Sequence, residues 1–202
     1  MITCVIPARM SSSRFPGKPL KKILGRELVL RCCDIAARSA YVDDIIVATE
    51  DREILDVVIN NGYKALLTPK YDSCTHRVAK IASLIETDYI INLQGDEPCV
   101  TSKMIDDMSK FALDGNYKCV QAVYDIEFND IHNQDVVKAV INNGQVINLT
   151  RNPEVVCDNL KGISGLYFYD KQTIVNFFDY DLGLVTAWKG LDTFGFIGAV
   201  PV

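Results

Sequence analysis

Apolar runs in this 202-residue chain are all too short to cross a bilayer, and Met1–Ile6 leads into a strand-like segment and a basic loop rather than a signal peptide. A cytoplasmic protein is expected. Histidine is scarce: His76 and His132 are the whole complement, and neither stands in a pattern that marks a general base. The seven cysteines form no C-x-x-C pair and no zinc-finger spacing, although Cys32 and Cys33 are adjacent. That excludes a structural zinc finger, fits a reducing compartment and suggests that most of the thiols are small buried hydrophobes. Positive charge is not in excess either, since 21 Lys and Arg against 26 Asp and Glu leave a net charge of −5, which argues against non-specific nucleic-acid binding. Internal repeats, low-complexity tracts and Gly/Ser linkers are absent, so one domain spanning 1–202 is expected. At 49% hydrophobic and 23% charged residues, the composition is that of a chain with a real core rather than a disordered one.

What is present alternates. Leu28, Val29, Leu30, Cys32, Cys33, Ile35 and Ala36 recur at helical spacing, and Asp43-Asp44 then introduces the strand-like Ile45-Ile46-Val47-Ala48. A helix over Arg52–Asn60 stops at Asn61-Gly62, Ala65-Leu66-Leu67 resembles a strand, and Val78–Ile85 is helical again. Tyr89–Leu93 is the strongest buried-strand candidate, and a helix over 102–112 follows. Strand–helix alternation with such short connections implies an α/β fold: a mostly parallel central sheet with helices on both faces. Farther on, Val136–Ile141 and Val146–Leu149 flank Asn143-Gly144, a hairpin signal that fits either an arm reaching a second subunit or an edge ribbon of the same sheet.

The first strand candidate, Ile2–Ile6, runs straight into Pro7-Ala-Arg9-Met-Ser-Ser-Ser-Arg14-Phe-Pro-Gly-Lys18-Pro19. Arg9, Arg14 and Lys18 supply fixed positive charge, three serines supply hydroxyls, and Pro16-Gly17 lets the backbone turn. Placed at the C-terminal end of a strand in an open α/β sheet, this composition suits a polyphosphate. It is not a Walker loop, because Pro19 follows Gly17-Lys18 and position 12 is Ser rather than Gly. A solvated basic connection is the competing reading.

Gln94-Gly-Asp96-Glu97-Pro98 follows the central strand and brings an amide and two carboxylates to the same rim. Carboxylates beside a polyphosphate repel it unless a divalent cation lies between them, so Asp96 is the first candidate ligand for Mg²⁺. Glu97 is a second ligand, an outer acceptor or a helix N-terminal acid. Gly95 allows a close backbone approach. Val47-Ala-Thr49-Glu50-Asp51 ends the second strand, where Thr49 or Asp51 reads as a helix cap, with Thr49 also counted as a candidate nucleotide contact. Ser73-Cys-Thr75-His-Arg77 precedes a helix: Ser73 and Thr75 are caps or nucleoside contacts, and Arg77 pairs with a carboxylate or a phosphate.

Taken together, the Ile6–Pro19, Val47–Asp51, Ser73–Arg77 and Asn92–Pro98 motifs resemble, in order and spacing, those of the CMP-Kdo synthetases, the 3-deoxy-manno-octulosonate cytidylyltransferases. Asp135–Val140, Leu149–Pro153, Gly165–Tyr169 and Gly190–Thr193 extend the resemblance over most of the chain. It implies a Rossmann-like nucleotidyltransferase fold with a β-hairpin arm, a CTP-binding part over about 1–115, and an acceptor-binding and dimerisation part over about 116–202. It implies transfer of CMP from CTP to an acidic sugar, with loss of pyrophosphate, in lipopolysaccharide or capsule precursor synthesis by a homodimer. Arg9, Ser12, Arg14 and Lys18 would hold the triphosphate, and Gln94 with Ser73, Thr75 and Arg77 would read cytosine and ribose. Asp96 and Asp192 would bind Mg²⁺, and Arg151 and Tyr167 would face the sugar acid. The chain departs from the family at Cys74 and His76, where Gly and an acid are usual, and in a shortened, divergent acceptor half. Two alternatives follow: a cytidylyltransferase for another acid or phosphonate, of the spore-coat polysaccharide type that Met10–Arg14 also resembles, and a non-catalytic nucleotide-binding protein.

Overall fold

The computed structural model describes residues 1–11, 15–71, 73–152 and 159–176. Strand β1 (Ile2–Ala8) is buried at every position, as expected of a central parallel strand flanked by helices on both faces. Its side chains alternate between two cores, Cys4 and Ile6 entering one and Val5 the other. A short ribbon, β2 (Lys22–Ile23) and β3 (Arg26–Glu27), leads into helix α1 (Leu28–Ala36), which buries seven of its nine residues. Then come β4 (Asp44–Thr49), α2 (Arg52–Asn60), β5 (Lys64–Leu67), α3 (Cys74–Leu84), β6 (Tyr89–Leu93) and α4 (Ser102–Asp114). The remaining elements are β7 (Cys119–Asp125), β8 (Lys138–Asn142), β9 (Gln145–Thr150), β10 (Leu160–Asp170) and α5 (Lys171–Val175).

One half of the sheet is parallel, in the order β5-β4-β1-β6, and the other half is antiparallel. Strand β10 runs antiparallel to β6 and also pairs with β7 and β8, so the parallel core passes directly into an antiparallel extension. Helices α1, α2 and α4 cover one face and α3 with α5 the other. The Asn143-Gly144 hairpin forms with both residues at positive φ, 49° and 76°, the twist a two-residue connection needs. Its first strand, β8, is paired along Lys138–Val140 with β10, so the hairpin is an edge ribbon of the main sheet.

Helix α3 begins at Cys74, four residues before the periodicity of Val78–Ile85 starts, because Ser73 caps it by accepting the His76 amide at 3.2 Å. Strand β7 has no local sequence signal: only Cys119 and Val120 are buried, and its outer half is exposed. No helix among the described residues is long and apolar enough to cross a membrane.

Candidate functional site

Three parallel strands, β4, β1 and β6, end at one rim, and each hands the chain to a motif singled out in the sequence. Beyond β1 the chain passes the half-buried Arg9 and Met10, and Gly17 (φ +73°) turns it back so that its amide donates to the Met10 carbonyl at 3.0 Å. Lys18 opens a 3-10 turn through Leu20, and its ammonium meets Asp96 Oδ2 at 2.8 Å. The basic loop and the acidic turn, 78 residues apart in sequence, therefore touch.

Backbone packing brings them there. The Gly95 amide donates to the Pro7 carbonyl at 3.3 Å, and a Cβ at residue 95 would lie 2.8 Å from that oxygen. The close neighbour that requires glycine is thus the end of β1. On the other side, the Gln94 amide donates to the Gly165 carbonyl at 2.8 Å, and the Gly165 amide donates to Glu97 Oε1 at 2.8 Å. This pair of bonds sits at a register shift in β10 between Ile163 and Tyr167, and a Cβ on Gly165 would fall 2.7 Å from Cγ of both Gln94 and Glu97. Glu97 is consequently drawn inward, and burial raises its carboxyl above the usual range, partly opposed by the Gly165 amide.

The turn after β4 supplies two more carboxylates. The Thr49 hydroxyl, fully buried, accepts the Asp51 amide at 3.0 Å. Asp51 Oδ2 accepts the Met10 amide at 2.8 Å, and the Ser11 hydroxyl donates to Glu50 Oε1 at 3.4 Å. The other Glu50 oxygen is held at 2.7 Å by Arg77, a fully buried guanidinium whose Nε also donates to Thr68. Thr75 is buried in α3 and Ser73 is its cap, as the helix-capping alternative had it.

The structure therefore brings Arg9, Lys18, Thr49, Gln94 and Asp96 to one rim, with Arg77 behind it. Tyr167 lies on β10 opposite Asn92 of β6, buried one strand beyond the acidic turn. Arg151 follows the end of β9, where its guanidinium donates to the Gln134 carbonyl at 3.0 Å. Ser12, Arg14 and Asp192 lie outside the described residues. The sequence puts Val47–Asp51 at the end of a strand with Asp51 as a helix cap, but not the roles seen for Glu50 on Arg77, Asp51 on Met10 and Gly165 on Gln94; continuing the β1–β4 register past Ala8↔Thr49 brings Asp51 beside Met10.

Asp96 suits a divalent cation of one kind. Its side chain is 51% exposed and Glu97 is turned to Gly165, so the turn offers a single exposed carboxylate, shared with Lys18, and no cluster of three or more His, Cys, Asp or Glu ligands occurs among the described residues. A cation that takes most of its ligands from protein fits poorly here, whereas Mg²⁺, which takes one or two carboxylates together with phosphate oxygens and water, fits.

A half-parallel sheet with a cationic loop and an acidic turn at its strand ends is a nucleotidyltransferase architecture, and comparison with known proteins narrows it. Residues 3–160 match the cytidylyltransferase family model, so the chain belongs to the cytidylyltransferase family. Within it, the chain belongs with the 3-deoxy-manno-octulosonate cytidylyltransferases: it is 34% identical over 201 residues to that enzyme from Thermodesulfovibrio yellowstonii, covering 88% of this chain and 78% of the relative. The counterpart from Syntrophotalea carbinolica is 44% identical over 106 residues, which is 52% of this chain and 42% of the relative, so that match spans under half of the relative's length. A solved CMP:2-keto-3-deoxy-manno-octonic acid synthetase complexed with CTP superposes with a TM-score of 0.89 at 27% identity, covering 98% of this chain and 86% of that one.

Proposed function

We propose that this chain is a magnesium-dependent cytidylyltransferase that couples CTP to 3-deoxy-manno-octulosonate or a closely related acidic sugar. A hydroxyl oxygen of the acceptor attacks the α-phosphorus of CTP, a P–O bond forms to the sugar as the hydroxyl proton passes to solvent, the bond from that phosphorus to the bridging oxygen breaks, and pyrophosphate leaves with its electrons. The observation that carries the reading is the meeting of Lys18 and Asp96 at 2.8 Å on the strand rim. An exposed ion pair of this kind adds little to stability, so its place is better explained by a ligand that inserts between its members.

Each side chain then has a task. Lys18, with Arg9 and Arg14, draws in the triphosphate and neutralises charge on the departing pyrophosphate, while Ser12 adds a hydroxyl. Gln94, flanked by the tightly packed Gly95 and Gly165, presents its amide toward the base, while the buried Thr49, Thr75 and Arg77 shape the nucleoside side of the rim from behind and Ser73 caps the helix that carries it. Arg151 and Tyr167 face the sugar acid from the antiparallel half. Asp96, with Asp192, would hold the magnesium ion, which when bound offsets phosphate charge. The chain acts as a single domain and as a homodimer joined through its antiparallel half.

Support comes from the family, from relatives that are 3-deoxy-manno-octulosonate cytidylyltransferases, and from a structural neighbour complexed with CTP. The test is pyrophosphate release from CTP and Mg²⁺ with a panel of acids. Release with 3-deoxy-manno-octulosonate is expected. Release only with another acid or a phosphonate would reassign the acceptor, and no release with any acceptor would leave nucleotide binding alone.

A further inference from the structure

The β1–β4 ladder ends at Ala8↔Thr49, an offset of 41 residues, yet the same offset continues past the strands. At one end the Ile2 amide donates to Asp43 Oδ2 at 2.7 Å; at the other, the Met10 amide donates to Asp51 Oδ2 at 2.8 Å. Two aspartates thus bracket β1. The second stands in an unexpected place, since Asp51 occupies the N-cap of α2 but makes no capping hydrogen bond. Ser73, Thr101 and Asp170, at the same position in α3, α4 and α5, each accept an amide of their own helix. The α2 cap carboxylate is instead diverted across the rim to the basic loop.

Met10 is the base of that loop. Its amide is taken by Asp51 and its carbonyl by the Gly17 amide, so Met10 ties Asp51 to Gly17, and Lys18 follows directly afterwards. The Thr49 hydroxyl accepts the Asp51 amide, which sets the turn that aims the carboxylate. Glu50 adds a second hold through Ser11, but it is also the counter-charge of the fully buried Arg77, and removing it strands a buried cation. Asp51 carries no such second duty.

We infer that Asp51 is a positioning residue: its carboxylate pins Met10, and so presets the Met10–Gly17 contact that places Lys18 for a nucleoside triphosphate, without itself touching the ligand. This rests on the CTP-binding reading above. A Met10–Gly17 contact set before binding need not be set by the ligand, and that saving appears as affinity for the triphosphate alone.

The full-length chain, Asp51→Ala and Asp51→Asn are titrated with CTP in the presence of Mg²⁺, and Met10 amide exchange is followed by NMR in the ligand-free proteins. Asp51→Ala is expected to weaken CTP binding roughly tenfold, as loss of a charge-assisted hydrogen bond does, to leave the acceptor KM unchanged and to lose protection at Met10. Asp51→Asn keeps an acceptor oxygen and is expected to stay within about threefold of wild type. Wild-type binding with Asp51→Ala equally tight, or Met10 exchange unaltered in that variant, overturns the tether alone. Unfolding of Asp51→Ala beside a folded Asp51→Asn that binds CTP no better than Lys18→Ala would mean that the carboxylate holds the fold rather than Met10, and overturns it too. A wild-type chain that takes up no CTP overturns the proposed activity and, with it, the purpose given to the tether.

Discussion

Asp96 keeps 51% of its side chain in solvent and Lys18 36%, and an ion pair so exposed contributes about 0–1 kcal/mol to the fold. Asp96→Asn should therefore leave the thermal midpoint nearly unchanged while lowering turnover by roughly 10²-fold or more, since the variant loses the charge that the proposed mechanism sets against the reacting phosphates. Steady-state kinetics beside a melting curve reads both; substantial activity in the variant would remove Asp96 from the metal site. Lys18→Ala should raise the KM for CTP far more than that for the acceptor, and the reverse pattern would assign the loop to the other substrate. Glu97 behaves differently from its neighbour. Burial raises its folded-state pKa, so ionisation costs the fold stability above the ordinary carboxylate range, and that cost vanishes at low pH where folded and unfolded chains both carry the proton. Glu97→Gln keeps the acceptor for the Gly165 amide and should be more stable than wild type at pH 7, with the advantage disappearing below about pH 4. A gain that is the same at both pH values would mean that charge is not its source.

At the scale of elements, the site depends on how closely β6 is drawn against its neighbours. Gly95→Ala would set a methyl group 2.8 Å from the Pro7 carbonyl, and since neither backbone can give way easily, a loss of about 1–3 kcal/mol is expected in urea unfolding together with weaker CTP binding. An alanine variant as stable as wild type would show that the rim is loose. This contact also marks the limit of reading by motif. Gly-Asp-Glu-Pro announces a turn that comes near something, but that the something is the end of β1 depends on a parallel pairing of Ile2–Val5 with Tyr89–Asn92 that no local pattern encodes. The helices and parallel strands were legible because each carries its own periodicity. Strand β7 was not, since its burial is set by antiparallel pairing with β10, which begins only at Leu160, and not by alternation within Cys119–Asp125.

For the molecule as a whole, the two cores on opposite faces of the sheet share strands β1, β4, β6, β7 and β10, so a local opening of one should expose the other. Cys4, Cys32 and Cys33 lie in the first core and Cys119 in the second, all buried, and burial pushes Cys32 and Cys119 each up to about 12. Native-state thiol labelling should therefore modify the exposed Cys99 quickly and the four buried thiols slowly, at one common rate that rises with urea along the global transition. Separate rates for Cys4 and Cys119 would divide the chain into independent units and contradict a single cooperative domain.

The chemistry was written in the sequence: a cationic serine-rich loop, an acidic Gly-Asp-Glu-Pro turn and their order along the chain pointed to an activated nucleotide, because charge and hydroxyl groups are properties of residues and survive without a fold. Placement was decided by tertiary structure. That Thr49 and Ser73 serve their own turns, that Arg77 is buried on Glu50, and that Asp51 reaches Met10 instead of capping α2 all follow from strand register and from which side chain wins a shared amide. Those outcomes arise only when segments distant in sequence compete for the same few ångströms.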